Sequence, residues 1–366
     1  MKLILDSLLL IYEKTKNNVF LLKIIRKIFK IFLFSYLNIS DFITIKYFRS
    51  PKKNSSKKLL FIHSPAWGDY LNWLVNYNIP SLMQKDNIPK LFLEGYEIHL
   101  YIYTSIKDKE KLLKNKKYKN VLDNFFQYGK VHIKSFKLSS FKERNDFQVK
   151  CLLDFIDICL KNKAYFLNSA PDVIFGNQSI YNALKSIENK GACFSAPIPR
   201  ISVNNIKSDK DLKELSKLNI DISNPSLVSL LFKYPHQSTL TAFDNIDTNS
   251  TYFSGISIRK INPNSYTVIH NLPSVFIGTF NKFDYLFFHL LNGFNQWDRK
   301  WSSILLRTNR LKICGSSDLF FMVELTKDSE KIPTLNKGML NNDLKDKGLI
   351  LENLIPNQFM SFWKSK

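Results

Sequence analysis

Short apolar runs and longer amphipathic stretches alternate along the chain between residues 59 and 326. The runs at 59–63 and 173–175 have the length of buried strands, whereas residues 143–162 carry apolar side chains at helical spacing. Further strands are predicted at 97–104, 131–136, 191–197, 252–258, 266–269, 274–277 and 311–314. Further helices are predicted at 71–77, 107–124, 180–187, 212–218 and 225–232. Strands that alternate with helices predict an α/β fold with a mostly parallel sheet.

The first fifty residues have a different pattern. An apolar run at 19–34 is interrupted by cations whose spacing of three or four places them on one face of a helix. These cations are Lys23, Arg26, Lys27 and Lys30. Four charges inside the run disfavour a transmembrane span. The pattern predicts an amphipathic basic helical segment over residues 1–50, which either lies in a membrane interface or packs on the protein core.

A polar, lysine-rich linker at 50–58 separates this segment from the remainder of the chain. The alternating pattern then predicts one α/β domain over residues 59–330. Residues 331–366 are mostly polar and are predicted to form a C-terminal tail, which closes with an aromatic helix near 359–363.

Charge and cysteine usage restrict the choice of partner and compartment. The chain has 366 residues and a formal net charge of +22, with 53 Lys and Arg against 31 Asp and Glu. This balance favours an anionic partner, either a membrane surface or a nucleic acid. Most of the cations are lysines, whereas bidentate recognition of bases and phosphates favours arginine, so nucleic-acid binding is disfavoured. The four cysteines form no CxxC pair, which predicts free buried thiols in a reducing, cytoplasmic compartment.

The candidate chemistry lies in polar residues that follow apolar runs. No P-loop, GxGxxG, GxSxG or HExxH motif is present, which disfavours ATPases, dehydrogenases, esterases and zinc proteases. In an open α/β sheet, ligands bind outside the carboxyl ends of the strands, where such polar residues would converge. An arginine there can clamp a diphosphate, and a histidine or carboxylate can act as a base. Each residue also has a structural alternative as a helix cap, a turn residue or an ion-pair partner. The candidates are Trp67, Gly68, Asp69, Tyr70, Asp172, Asn177, Ser179, Arg200, His270 and Asp318.

Several of these candidates stand in short motifs that resemble those of a group of bacterial proteins. In that group the first strand ends in a W-G-x-x-Y-like loop, and this chain has the similar Trp67-Gly68-Asp69-Tyr70, with one residue between Gly68 and Tyr70. Further similar segments are 79–82, 87–91, 102–104, 171–179, 191–200, 270–273, 316–318 and 323–326. The layout over residues 59–326 is similar to that of nucleotide-sugar glycosyltransferases with a single Rossmann-like, GT-A-type domain.

The resemblance implies a cytoplasmic hexosyltransferase of cell-surface polysaccharide synthesis, peripheral at the inner face of the plasma membrane. Its nucleotide-sugar donor would bind near Trp67, Asn177 and Arg200. Its acceptor, a glycan or a lipid-linked molecule, would approach from the side of His270 and Asp318, which are the candidate catalytic bases.

The GT-A pattern also bears on a metal ion. Such enzymes carry an acidic D-x-D-like motif that holds Mg²⁺ or Mn²⁺ on the sugar diphosphate. This chain has Asn177-Gln178-Ser179 at that place, and an amide brings no charge to a metal site. The alternatives are therefore a divalent cation at this place, a metal-independent enzyme, or an enzyme that relies on Asp172 or Asp318. The competing function is a non-catalytic basic protein that binds a membrane surface or nucleic acid.

Overall fold

The computed structural model describes residues 2–42, 58–137, 144–188, 190, 192–206, 208–240, 242, 250–251, 256–270, 274–291, 301–330, 335–336 and 359–365. The strands are β1 Leu59–Pro65, β2 Glu97–Ser105, β3 Lys130–Phe136, β4 Tyr165–Asn168, β5 Val173–Phe175, β6 Cys193–Ser195, β7 Arg200–Ser202, β8 Ser250–Thr251, β9 Ile256–Asn262, β10 Ser265–His270, β11 Val275–Thr279, β12 Leu311–Ile313, β13 Met322–Thr326, β14 Leu335–Asn336 and β15 Phe359–Lys364.

The helices are α1 Lys2–Thr15, α2 Val19–Phe42, α3 Tyr70–Trp73, α4 Ile79–Leu82, α5 Ile88–Leu93, α6 Ile106–Lys114, α7 Lys116–Phe125, α8 Arg144–Asn162, α9 Ser179–Ile187, α10 Val203–Ile206, α11 Lys210–Ser216, α12 Asn224–Lys233, α13 Gln237–Leu240, α14 Lys282–Leu291 and α15 Ser302–Arg307. A π-helical segment, Leu74–Asn78, joins α3 to α4.

A seven-stranded sheet forms the centre of the fold, with the strand order β12-β6-β11-β4-β1-β2-β3. Neighbouring strands are parallel except at β11, which runs antiparallel to both β4 and β6. Successive residues of a strand face opposite sides of a sheet, so Leu60 and Ile62 pack against α3–α5, α7 and α9, whereas Phe61 packs toward α8 and α14. The expected α/β fold with a mostly parallel sheet is therefore confirmed.

The strand that follows α8 in the central sheet is β4, which the apolar pattern did not reveal. Tyr165–Asn168 is only four residues long and begins two residues after the helix turns at Lys163, whose φ is 54°. No glycine or proline separates this strand from the helical pattern that ends at residue 162, so no break in the pattern marked its start. The predicted strand at Val173–Phe175 exists, but it belongs to a second sheet with the order β5-β13-β7.

The remaining strands form two smaller sheets, β15-β10-β9 and β14-β8. Residues 359–363 were expected to form a closing helix, and this expectation is wrong. Phe359–Lys364 is a strand that pairs antiparallel with β10 over its whole length. Ser361 and Trp363 are buried while Phe362 is exposed, which is the period of two that a half-buried strand requires.

Two other boundaries differ from the expected ones. The helix predicted at 107–124 is two helices, because Asn115 lies between them and its side-chain oxygen accepts the Lys117 and Tyr118 N–H groups. Arg200 begins strand β7, whereas the pattern placed it after the end of a strand.

The N-terminal segment forms a helical hairpin that packs on the domain. Ile25, Phe29 and Leu33 of α2 are buried together with Phe283 of α14. Packing on the core, one of the two alternatives for this segment, is thus part of the structure. No helix in the described part of the chain combines the length and apolarity needed to cross a membrane.

Candidate ligand-binding site

The loop after β1 starts the candidate site. The Ala66 N–H donates to the Tyr103 carbonyl at 2.8 Å, which holds the loop on the neighbouring strand β2. Gly68 follows with a φ of +60°, a left-handed conformation that residues with a Cβ rarely adopt. The chain then turns into α3, so Gly68 and Asp69 lie at the carboxyl end of β1.

The loop after β2 meets this turn through one carboxylate. Ser105 and Asp108 cap α6 reciprocally, since the Asp108 N–H donates to Ser105 Oγ at 3.0 Å and Ser105 Oγ donates to Asp108 Oδ2 at 2.8 Å. The same Oδ2 also accepts the Gly68 N–H at 2.9 Å. One capping carboxylate therefore joins the carboxyl ends of two adjacent parallel strands.

A cavity of about 470 Å³ opens between these two loops. Its lining residues come from the turn after β1 and from α6: Gly68, Asp69, Lys107, Asp108, Glu110, Lys111 and Lys114. Lys107, Lys111 and Lys114 are spaced four and three apart, so they form a lysine row on one face of α6. The cavity lies where an open α/β sheet binds its ligands and has cations along one wall.

Asp69 borders the cavity and is held by a residue distant in sequence. Lys327 Nζ donates to Asp69 Oδ2 at 2.7 Å and lies 5.9 Å from the centre of the Trp73 ring. The hydrogen bond and the charge of Lys327 lower the pKa of the Asp69 carboxyl. Asp69 is therefore ionised at neutral pH.

A row of charged residues leads from Lys327 back along β13. Glu324 Oε1 pairs with Arg200 Nη2 at 3.0 Å, and the two residues are register partners of β13 and β7. The Leu325 N–H donates to the Asp172 carbonyl at 2.6 Å. The structure thus gathers three predicted residues, Asp69, Asp172 and Arg200, around the carboxyl end of β13.

The predicted residues Asn177, Ser179 and Asp318 lie at the other end of that strand. Ser179 Oγ donates to the Phe321 carbonyl at 3.0 Å, and Asn224 Nδ2 contacts the Asp318 carbonyl at 3.4 Å. Four steps of about 3.3 Å separate the two ends of β13, which places the two groups roughly 13 Å apart along the strand.

Polar side chains bind the Asn177 turn to the preceding helices. Asn177 and Asp86 exchange two hydrogen bonds, at 2.9 and 3.0 Å. Asn87 Nδ2 donates to the Gly176 carbonyl at 3.1 Å. A Cβ on Gly176 would lie 2.0 Å from Asn224 Oδ1, so a larger residue there would require the Asn224 side chain to move. Gly176–Ser179 was expected outside the carboxyl end of a main-sheet strand, but the strand before it, β5, belongs to the second sheet.

The two aromatic candidates fix the loop after β1 by packing. Trp67 contacts the Phe147 ring edge-on with a centroid distance of 4.7 Å, and Tyr70 contacts Trp73 at 4.9 Å. These contacts are compatible with a rigid binding loop, and the role of both residues in donor binding stays a prediction.

The contacts described above do not test the predictions of a catalytic base at His270 and of a bound metal ion. His270 ends β10, but its side chain is not among the described ones, so its role as a base stays a prediction. Over the described residues, no group of three or more His, Cys, Asp and Glu side chains is arranged to hold a metal ion.

Sequence reasoning missed the lysine row, Asp108 and Lys327. The signal for the first two was present, because a Ser-x-x-Asp capping box directly after a predicted strand is followed by lysines at helical spacing. Lys327 carried no such signal, since it reaches Asp69 across 258 residues.

The sequence matches no protein-family model and no curated protein.

Proposed function

We propose that this protein is a cytoplasmic glycosyltransferase that moves a sugar from a nucleotide-sugar donor to a cell-surface glycan or a lipid-linked acceptor. The observation that supports this proposal best is the cavity at the carboxyl ends of β1 and β2. It contains Gly68 and Asp69 of the W-G-x-x-Y-like loop, and the central sheet is the mostly parallel one that a GT-A-type domain requires.

In this proposal the lysine row binds the diphosphate of the donor. Lys107 and Lys111 line the cavity one helical turn apart, so a diphosphate lying along α6 meets both ammonium groups. Hydrogen bonds between a cation and an anion are shorter and stronger than neutral ones. The nucleoside would then lie over the turn at Gly68, where no other group lies within 4 Å of the position that a Cβ would take.

The sugar would face the charged row along β13. In the reaction, an acceptor hydroxyl attacks the anomeric carbon, the bond from that carbon to the diphosphate oxygen breaks, and a base takes the hydroxyl proton. His270 and Asp318 are the bases that the resemblance implies. Asp172 and Glu324 are two further carboxylates beside the carboxyl end of β13, and the Arg200 guanidinium beside Glu324 can stabilise negative charge on the leaving group.

The carboxylates of the cavity fit a divalent cation poorly. Asp69 is paired with Lys327, Glu110 lies 3.3 Å from Lys114, and Asp108 accepts from Gly68 and Ser105. Each of these carboxylates already has a cation or hydrogen-bond donors on one of its two oxygens, which offsets the negative charge that a metal ion would need. The proposed reaction therefore assigns the neutralisation of the diphosphate to lysines.

Calorimetric titration with UDP and GDP tests the donor site. We expect the double variant Lys107→Glu and Lys111→Glu to weaken binding at least tenfold, because each charge-assisted hydrogen bond contributes about 1.5–3 kcal/mol. The matched control is Lys117→Glu with Lys119→Glu, which changes the net charge equally on the neighbouring helix α7. The control should bind as the parent protein does.

Two results would overturn the proposal. A parent protein that binds neither nucleotide would favour the non-catalytic alternative. Equal weakening in both double variants would show that net charge alone attracts the nucleotide and that the cavity is not the donor site.

A further inference from the structure

The helix α2 has two apolar sides, and only one of them is used by the fold. Ile25, Phe29 and Leu33 repeat every four residues and are buried against α14. On the outward side, Phe20 and Ile31 keep 70% and 68% of their surface exposed, and Ile24 and Ile28 keep 40% and 48%. We refer to Phe20, Ile24, Ile28 and Ile31 as the outer apolar stripe.

A cationic stripe runs beside the outer apolar stripe. At 3.6 residues per turn, the four apolar residues fall within a sector of about 80°, and Lys23, Lys27 and Lys30 fall in the adjacent sector of about 60°. All three lysines are exposed. The outward face of α2 is therefore divided lengthwise into an apolar half and a cationic half.

The two acidic residues of α1 bind partners away from the cationic stripe. Residues 19–40 contain no Asp or Glu. In α1, Asp6 binds Lys282 at 2.5 Å, and Glu13 binds Lys16 and the Tyr285 hydroxyl, both at 2.7 Å. These contacts face α14 or the hairpin turn, so neither of the two carboxylates of α1 pairs with the cationic stripe.

The composition of this face distinguishes a lipid surface from a protein partner. Lysine is depleted in protein interfaces, whereas helices that lie in a membrane interface combine lysines with Phe, Leu or Ile on the adjoining face. Val19 at the hairpin turn and Leu10 and Ile11 of α1 are also exposed, which extends the apolar surface around the hairpin. Anionic head groups would match the lysines.

We propose that the outward face of α2 binds an anionic membrane surface while its inward face stays packed on the protein. The outer apolar stripe inserts between the head groups, and the cationic stripe lies at the level of the lipid phosphates. This inference does not depend on the proposed glycosyl transfer, because it rests on the hairpin and not on the cavity.

Flotation with vesicles of phosphatidylcholine and phosphatidylglycerol tests the inference on the full chain. Each lysine near an anionic surface strengthens binding about fivefold, so Lys23→Gln, Lys27→Gln and Lys30→Gln together should weaken it roughly 100-fold. The variant with Lys116→Gln, Lys117→Gln and Lys119→Gln is the charge-matched control and should float like the parent. High salt should also weaken parent binding.

A second variant addresses the apolar half. Phe20→Gln, Ile24→Gln and Ile28→Gln should weaken vesicle binding at least tenfold, and the loss should persist at high salt because insertion of apolar groups is not screened. Leu93→Gln, Ile106→Gln and Leu113→Gln replace exposed apolar residues elsewhere and serve as the control. Circular dichroism of each variant should match that of the parent, because every replaced side chain is exposed.

The inference is overturned if the parent protein does not float with anionic vesicles, or if the α2 variants float as the parent does. It is also overturned if sedimentation shows a dimer that the apolar variant dissociates while vesicle binding is absent, since the occupant of the stripe would then be a second copy of the chain.

Discussion

At the scale of single residues, His63 is a buried histidine in strand β1 of the central sheet. Its Nδ1 lies 3.1 Å from Asn168 Oδ1 in β4, and its ring packs against Tyr103 and Phe155. Its Nε2 is buried and has no hydrogen-bond partner among the described residues. Burial lowers the pKa of His63 to about 4, so the ring is neutral at physiological pH.

This burial makes stability depend on pH. An unfolded histidine titrates near 6.5 and the folded one near 4, so the unfolded state binds more protons between these values. The free energy of unfolding therefore falls as the pH drops from 6.5 to 4, by up to about 3 kcal/mol. Urea unfolding at several pH values should show a shallower decrease for His63→Gln than for the parent protein. Identical pH profiles would contradict this role.

The residue scale also shows how the predicted site residues divide. Asp69 lines the cavity and is ion-paired with Lys327, Arg200 is ion-paired with Glu324, and Asn177 is hydrogen-bonded to Asp86. Residue type indicated that each could carry chemistry. The choice between a ligand contact and a structural contact depended on the partner, and these partners lie between 91 and 258 residues away.

At the scale of elements, Asp284 connects three of them. It lies in α14 and is fully buried, and its carboxylate accepts two hydrogen bonds from Arg310, at 3.0 and 2.7 Å, just before β12. It also accepts the indole N–H of Trp301 at 2.8 Å, just before α15. Because the N-terminal hairpin packs on α14 and α15, this carboxylate supports the hairpin as well.

The variant Asp284→Asn should destabilise the protein by about 3–5 kcal/mol, because it leaves the buried Arg310 cation without its counter-charge. Asp157→Asn is the control, since Asp157 is half exposed and pairs with His289 at the surface. The control should cost less than about 1 kcal/mol. Urea denaturation of both variants measures the change in the free energy of unfolding. Equal changes would show that the buried pair contributes no more to stability than the surface pair.

At the scale of the whole molecule, the hairpin of α1 and α2 is part of the domain that it precedes in sequence. Leu8, Tyr12, Ile25, Phe29 and Leu33 are all buried in the core layer that α8, α14 and α15 also build. A buried side chain of this size contributes about 1.5–3 kcal/mol relative to an exposed one. The hairpin therefore covers apolar surface that the domain would otherwise expose.

A chain that starts at Pro51 should accordingly unfold at a lower temperature than the full chain and should aggregate more readily. Thermal unfolding followed by circular dichroism, together with light scattering, compares the two proteins. An unchanged midpoint and a soluble truncated chain would mean that the hairpin adds no stability to residues 59–330. This comparison is separate from the vesicle experiment, which uses the full chain.

Local sequence patterns were sufficient to predict most of the elements and the fold class. Strand-length apolar runs and helical spacing are local properties, and they predicted most strands of the mostly parallel sheet and the amphipathic character of α2. The strand β4 was not predicted, because four residues are too few to show a clear hydrophobic period. The strand β15 was expected to be a helix, because a short aromatic stretch is compatible with a helix or a strand.

Long-range contacts determine which elements share a sheet and which polar residues share a cavity. Val173–Phe175 has the pattern of a central strand, but its partners place it in the second sheet beside β13. The sides of α2 are almost equally apolar in sequence, and packing on α14 selected the one that is buried. The cause is the same in both cases. Hydrophobicity identifies the residues that become buried, but contacts between segments far apart in the chain determine what those residues pack against.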